Sequence, residues 1–219
     1  MAYLLKRNSN QILGLVDFAY EFYHHGTPTL EMIRRTKLLN ADCFISGLAA
    51  FSLNMTSTKL FANETKFFLA RQMNRYRYKA PLLGGSDLFD DVKAFATNAC
   101  ASGELGVSPS ILAFDPRGKQ FLRGTSVQSD YYGVILGSSA HRKSIDGMDA
   151  IKAMIALDEI HGRLAEAVSA EDLGLDPSVL GAIASAIIYS VLHDISFAQT
   201  DMGIGMFLQN LLPLDNSSQ

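Results

Sequence analysis

Residues 86–105, SDLFDDVKAFATNACASGEL, set the reading of the whole chain. Ser86 is a helix-capping residue, and Asp87, Asp90 and Asp91 follow it, where the helix dipole favours negative charge. Phe89, Val92, Phe95, Ala96 and Cys100 recur at helical spacing and predict one apolar face. The helix should end near Ser102 and Gly103, which leaves Glu104 at its C-terminal end.

Downstream the chain changes character. Ser108 and Pro109 predict a short helical turn to about Phe114. Residues 119–136 are rich in strand formers, among them Phe121, Thr125, Val127, Tyr131, Tyr132, Val134 and Ile135, broken by Gly124 and Gly133. They predict one small, irregular β element. Helical spacing returns over 145–168 through Met148, Ile151, Ile155, Ile160 and Leu164. Asp176 and Pro177 open a helix to about Ile195 that is apolar nearly all round, which predicts the buried central helix. A last short helix covers 204–212, before a polar tail.

Upstream, PLLGGS at 81–86 predicts a hinge. Helices are expected over 10–25, stopped by Gly26, over 28–39, opened by Thr27 and Pro28, and over 63–79. Residues 43–53 read as a small-residue-rich helix or a packed loop. The expected fold class is mainly α with one small β element. An N-terminal helical segment, 1–80, would lead into a catalytic domain, 81–219.

Composition narrows the function. The chain has 219 residues, 48% hydrophobic and 19% charged, which is globular rather than disordered. A net charge of −3 gives no reason to expect nucleic acid as a partner. Arg71, Arg75, Arg77 and Lys79, interleaved with Met73, Tyr76 and Tyr78, read as a solvated helix face or as a contact with an anionic partner, membrane or capsid. Cys43 and Cys100 stand alone in apolar surroundings and read as inert core thiols. No apolar run is long enough to span a bilayer and the start lacks a signal-like pattern, so something else is expected to deliver the chain.

Nucleotide and serine-nucleophile signatures are missing. Gly84-Gly85 and Gly203-Ile204-Gly205 lack a dinucleotide-loop context, and neither a P-loop lysine nor a Gly-x-Ser-x-Gly elbow occurs. His141 with Asp146 or Asp149, and Glu159 with His161, have loosely the spacing of a zinc peptidase. Glu159 and His161, two apart on a helix, point to different sides. No metal or other cofactor is expected.

Carboxylates remain. A glycosidase needs one acid held protonated near neutral pH, which requires partial burial beside apolar groups. Glu104 lies among Gly103, Leu105, Gly106 and Val107, with no Lys or Arg within about ten residues. The plain alternative is a solvated helix end. Asp115 and Asp130 flank the β region as candidate second carboxylates, whose separation would select retaining or inverting hydrolysis. Ser126, Gln128, Ser129, Tyr131 and Tyr132 offer the polar groups and aromatic faces that sugars require, or simply strand packing.

The chain as a whole, from MAYLLKR at 1–7 to LPLDNSSQ at 212–219, resembles the lytic enzymes of phi-6-type cystoviruses, the enveloped double-stranded RNA phages. That resemblance implies a muralytic virion protein. It would lie between nucleocapsid and envelope, touch both, and act in the host periplasm at penetration and at lysis. Residues 86–189 are more loosely similar to lytic transglycosylases and goose-type lysozymes. Glu104 would be their helix-ending catalytic acid, Gly133-Val134-Ile135-Leu136 their Gly-Leu-Met-Gln-like segment, and Tyr189 their Ala-x-Tyr-Asn-like tyrosine. Here Glu104 is not followed by Ser, Gln is missing after Ile135, and Asn is missing after Tyr189.

The expectation is a lysozyme-like murein hydrolase or lytic transglycosylase that cleaves the glycan strand. Glu104 would serve as general acid and base, with Asp115 or Asp130 assisting. Ser126, Gln128, Tyr131, Tyr132 and Tyr189 would bind the sugars. The alternatives are a murein endopeptidase using His141 and His161 around a metal, and a non-enzymatic virion linker carried by the N-terminal helices.

Overall fold

The computed structural model describes residues 10–68, 79–105, 110–115, 120–127, 131–141, 145–168, 170, 173–176 and 178–211; within 110–115, 120–127, 139–141 and 210–211 it describes the backbone alone. The protein is mainly helical. Among the described residues eight helices accompany two small antiparallel hairpins, where one β element was expected.

The core is built around α7 (Ser178–Leu192), as its all-round apolarity predicted, with Ile183, Ala184, Ile187, Ile188, Val191 and Leu192 buried. Beside it runs α6 (Gly147–Ala167), which contributes Met154, Leu157 and Ile160. Asp146 and Asp149 start α6 with a reciprocal capping box, which satisfies the open amides of its first turn. Against both lies α1 (Gln11–His25), through Val16 and Ala19. Asn10 caps α1, and Gly26 stops it as expected.

Next comes α2 (Leu30–Ser52), one helix where the sequence suggested two segments. Thr29, not Thr27, caps it by accepting from the Met32 amide, and nothing between residues 39 and 43 breaks the helix. Then α3 (Thr56–Lys66) starts seven residues before the predicted 63–79 and ends at Lys66; residues 69–78 of that prediction lie outside the described residues. Of the basic cluster, Lys79 lies in a strand and the other three lie outside the described residues.

The 81–86 stretch is the turn of a hairpin, β1 (Lys79–Pro81) with β2 (Leu88–Asp90), in register Ala80↔Phe89. Gly84 takes φ 76° in that turn, where a side chain would be strained. The pairing consumes residues 88–90, so α4 (Asp91–Glu104) starts later than expected. Asp90 caps it instead of Ser86. The inner face of α4 is correspondingly rotated to Ala94, Phe95, Thr97, Asn98, Ala101 and Ser102, while Val92 is 61% exposed. Asn98 accepts from the Leu83 amide at 2.9 Å and donates to the Pro81 carbonyl at 3.1 Å, which pins the hairpin turn to α4.

Two local expectations are reversed. Residues 110–115 are β3 (Ser110–Asp115), paired with β4 (Gln120–Val127), and not a helical turn. A short apolar run is ambiguous between strand and helix, and the partner strand decides it. Tyr132, Val134 and Ile135 belong to α5 (Tyr132–His141), not to a strand. Gly133 and Gly137, four apart, let α5 press against α4: a Cβ at Gly133 would meet the Phe95 carbonyl at 3.2 Å, and one at Gly137 would enter the Phe95 ring. The chain closes with α8 (Phe197–Leu211), longer than predicted, packed on α1 and α7.

Candidate functional site

The N-terminus of α3 lacks a cap of its own, because Met55 occupies the N-cap position and offers no oxygen. Glu104, the last residue of α4, supplies it from elsewhere in the chain. Its Oε1 accepts from the Ser57 amide at 2.7 Å, and its Oε2 from the Thr58 amide at 2.7 Å and the Thr58 hydroxyl at 2.5 Å. The Thr58 hydroxyl, followed by the two amides, holds the Glu104 carboxyl down at about 2, so the group is ionised throughout the neutral range. The environment expected for Glu104 was the opposite one, a carboxyl kept protonated by apolar neighbours.

Glu104 stands on the wall of an open groove of about 830 Å³. Ser57 and Phe61 of α3, Phe95 and Cys100 of α4, Tyr131, and Ser178 and Ala182 of α7 enclose it. This is a volume typical of small-ligand sites, roughly 300–1,000 Å³. Cys100, expected in the core, is half-buried on this wall, whereas Cys43 is buried as expected. Tyr131 lines the groove and donates from its hydroxyl to the Ser178 carbonyl at 3.0 Å. Its ring stands at 90° to that of His161, centroids 5.4 Å apart.

Among the described residues, only Glu104 and Tyr131 of the expected site residues meet in this groove. Tyr132 is fully buried and donates to Asp158 Oδ2 at 2.8 Å, so it is a core residue and cannot bind a sugar. Burial and the Asp158 charge push its hydroxyl well above the usual tyrosine range. Tyr189 donates to Asp91 Oδ2 at 3.0 Å and lines an adjoining, mostly apolar pocket of about 460 Å³ with Val92, Ile195 and Ile204, which shares Phe95, Val134 and Ser185 with the groove. Asp115 ends β3 opposite Gln120 and Ser126 lies in β4, both described by backbone alone. Gln128, Ser129 and Asp130 lie outside the described residues.

The alternative metal set does not converge among the described residues, where no three His, Cys, Asp or Glu side chains come together. Asp146 and Asp149 cap α6, and Glu159 pairs with Arg163 at 2.8 Å. His161 is 2% exposed, and burial pushes its imidazole down to about 4. The side chain of His141 lies outside the described residues.

One carboxyl did not stand out in the sequence. Asp91 is 5% exposed at the start of α4, and burial raises it above the usual range against the pull of the Tyr189 hydroxyl. Asp87, Asp90 and Asp91 look alike as first-turn acids, and only tertiary packing selects which is buried. Thirteen residues of helix at about 1.5 Å each put Asp91 roughly 20 Å from Glu104, too far apart for paired glycosidase carboxyls. No protein-family model matches the chain, and neither does any curated protein or solved structure.

Proposed function

We propose that this protein degrades peptidoglycan by cutting the glycan strand in the groove that carries Glu104, as a lysozyme-like or lytic-transglycosylase-like enzyme of a virion. The observation that carries the reading is the Glu104 carboxylate at the C-terminal end of α4, the one acid among the described residues of an open groove, beside the aromatic rings of Phe61 and Tyr131. The resemblance to cystovirus lytic enzymes adds the setting: a place between nucleocapsid and envelope, and action on the host wall.

The chemistry starts from the ionised group. A substrate oxygen that replaces the Thr58 hydroxyl at Glu104 removes the largest influence holding the carboxylate charged, and sugar rings that exclude water from the groove raise the carboxyl further, so that it can take up a proton. It delivers that proton to the glycosidic oxygen as the bond breaks. The carboxylate so regenerated stabilises the positive charge on the sugar and accepts a proton from the attacking water or sugar hydroxyl. Phe61 and Tyr131 offer apolar faces for the rings.

Glu104→Gln tests the assignment. The glutamine oxygen still accepts an amide of α3, so the fold is retained, while murein digestion should fall by roughly 10²–10⁴-fold. A folded variant with undiminished digestion would remove Glu104 from the mechanism. The clasp itself favours one second reading, in which Glu104 is only the cap of α3 and the protein is a non-enzymatic virion linker. Absence of any muralytic activity in the purified wild-type chain would select it.

A further inference from the structure

The outer side of α3 is unusual for a helix packed on a core. Leu60 and Phe67 are 65% and 76% exposed, and Leu53, in the elbow before the helix, is 65% exposed. A spacing of seven residues, two helical turns, puts Leu60 and Phe67 on one line. The opposite side, Thr58, Ala62 and Thr65, is buried and packs on α4. Lys59 and Lys66 each precede an exposed apolar residue. Glu64, the one acid of the helix, lies on the same side as Leu60 and Phe67, where it is ion-paired with Lys93 of α4.

We propose that α3 is a docking helix for an anionic lipid surface, with Leu53, Leu60 and Phe67 entering the interface and Lys59 and Lys66 reaching the headgroups. Apolar side chains flanked by lysines are the pattern of helices that lie in a membrane interface. Charge selects the occupant: the sequence that follows, 69–79, carries Arg71, Arg75, Arg77 and Lys79 and no acid, in a chain of net charge −3. Geometry selects the mode. The helix has 11 residues, about 16 Å at 1.5 Å each, against a hydrocarbon core of about 30 Å. It turns 82° from α2, whose Thr36, Cys43 and Ser46 are buried in the protein. So α3 lies on the surface instead of crossing it. Ser57 and Phe61 sit about a quarter turn around the helix from Leu60 and Phe67, so a docked α3 leaves the groove open. The surface is independent of whether Glu104 cleaves a bond.

Flotation of the full chain with vesicles tests it, using phosphatidylcholine alone and phosphatidylcholine mixed with phosphatidylglycerol. The chain should float with the anionic vesicles only, and less so as salt rises. Leu60→Ser with Phe67→Ser should weaken binding by about tenfold or more, as should Lys59→Glu with Lys66→Glu, while Leu173→Ser, at an exposed leucine elsewhere, should leave it unchanged. Circular dichroism checks that each variant is folded. Failure to bind anionic vesicles, equal binding to neutral ones, or binding indifferent to both double variants would overturn the proposal. So would a dimer on gel filtration that the Leu60→Ser, Phe67→Ser variant dissolves in a chain that binds no vesicle, since the face would then belong to a second copy.

Discussion

Replacing Gly181 by alanine probes how the groove is walled. Gly181 is buried on α7, and a Cβ there would fall inside the ring of Tyr131. The helix is the central one of the core, so the tyrosine must give way. Tyr131 is held by its hydrogen bond to the Ser178 carbonyl and by its edge contact with His161. Overpacking costs about 1–3 kcal/mol and the lost hydrogen bond about 1 kcal/mol, while alanine regains about 1 kcal/mol of helix propensity. The expected net loss is about 1–3 kcal/mol, or roughly 2–4 °C of Tm per kcal/mol for a chain of this length. Urea denaturation measures the loss. Proton NMR supplies a second readout, because a displaced Tyr131 admits water to His161 and its pKa should climb from about 4 toward 6.5. In a Tyr131→Ala background the obstacle is gone, and Gly181→Ala should become neutral or stabilising. If Gly181→Ala instead stabilises the wild type and leaves His161 unmoved, Tyr131 does not pack over α7.

Three other outcomes follow from the same packing. His161 is neutral in the fold, so between pH 6.5 and about 4 the unfolded chain binds a proton that the folded chain refuses; stability should fall by on the order of 3 kcal/mol across that window, and His161→Leu should flatten the slope in denaturation curves. Asp91 has a raised pKa, so its favourable contribution is present below pH 3.8 and is lost as pH rises through the folded value. Asp91→Asn should therefore help stability more at pH 7 than at pH 3, and calorimetry showing the reverse would contradict the burial argument. Thr58→Val keeps the shape of a buried residue but removes the hydroxyl on Glu104, which should raise that carboxyl from about 2 toward its ordinary 4.5; a carboxyl that stays at about 2 in an NMR titration would mean that the amides alone hold it.

What could be read from the sequence was what depends on near neighbours. The Gly26 stop, the long amphipathic α6 and the all-round apolar α7 are local patterns, and each is observed. What failed depends on distant partners. Residues 88–90 and 110–115 take their form from the strands they pair with. The β-type residues of α5 are helical because two glycines fit it against α4, a fit visible only with both helices in place. The same holds at the site. Glu104 was located correctly at a helix end, but the groups that fix its charge are 46 and 47 residues away, and the Tyr189 that touches Asp91 is 98 residues away. Local sequence therefore placed Glu104 at a helix end and mistook its charge state.

Digestion of purified Gram-negative murein by the wild-type chain, with mass spectrometry of the products, tests the proposed function most directly. Glycan cleavage predicts new reducing ends or anhydro-muramic ends, the first if water attacks and the second if the sugar's own hydroxyl does, and predicts that Glu104→Gln abolishes both. Intact glycan strands with newly freed amino groups would contradict it, and would assign the protein to peptide cleavage instead.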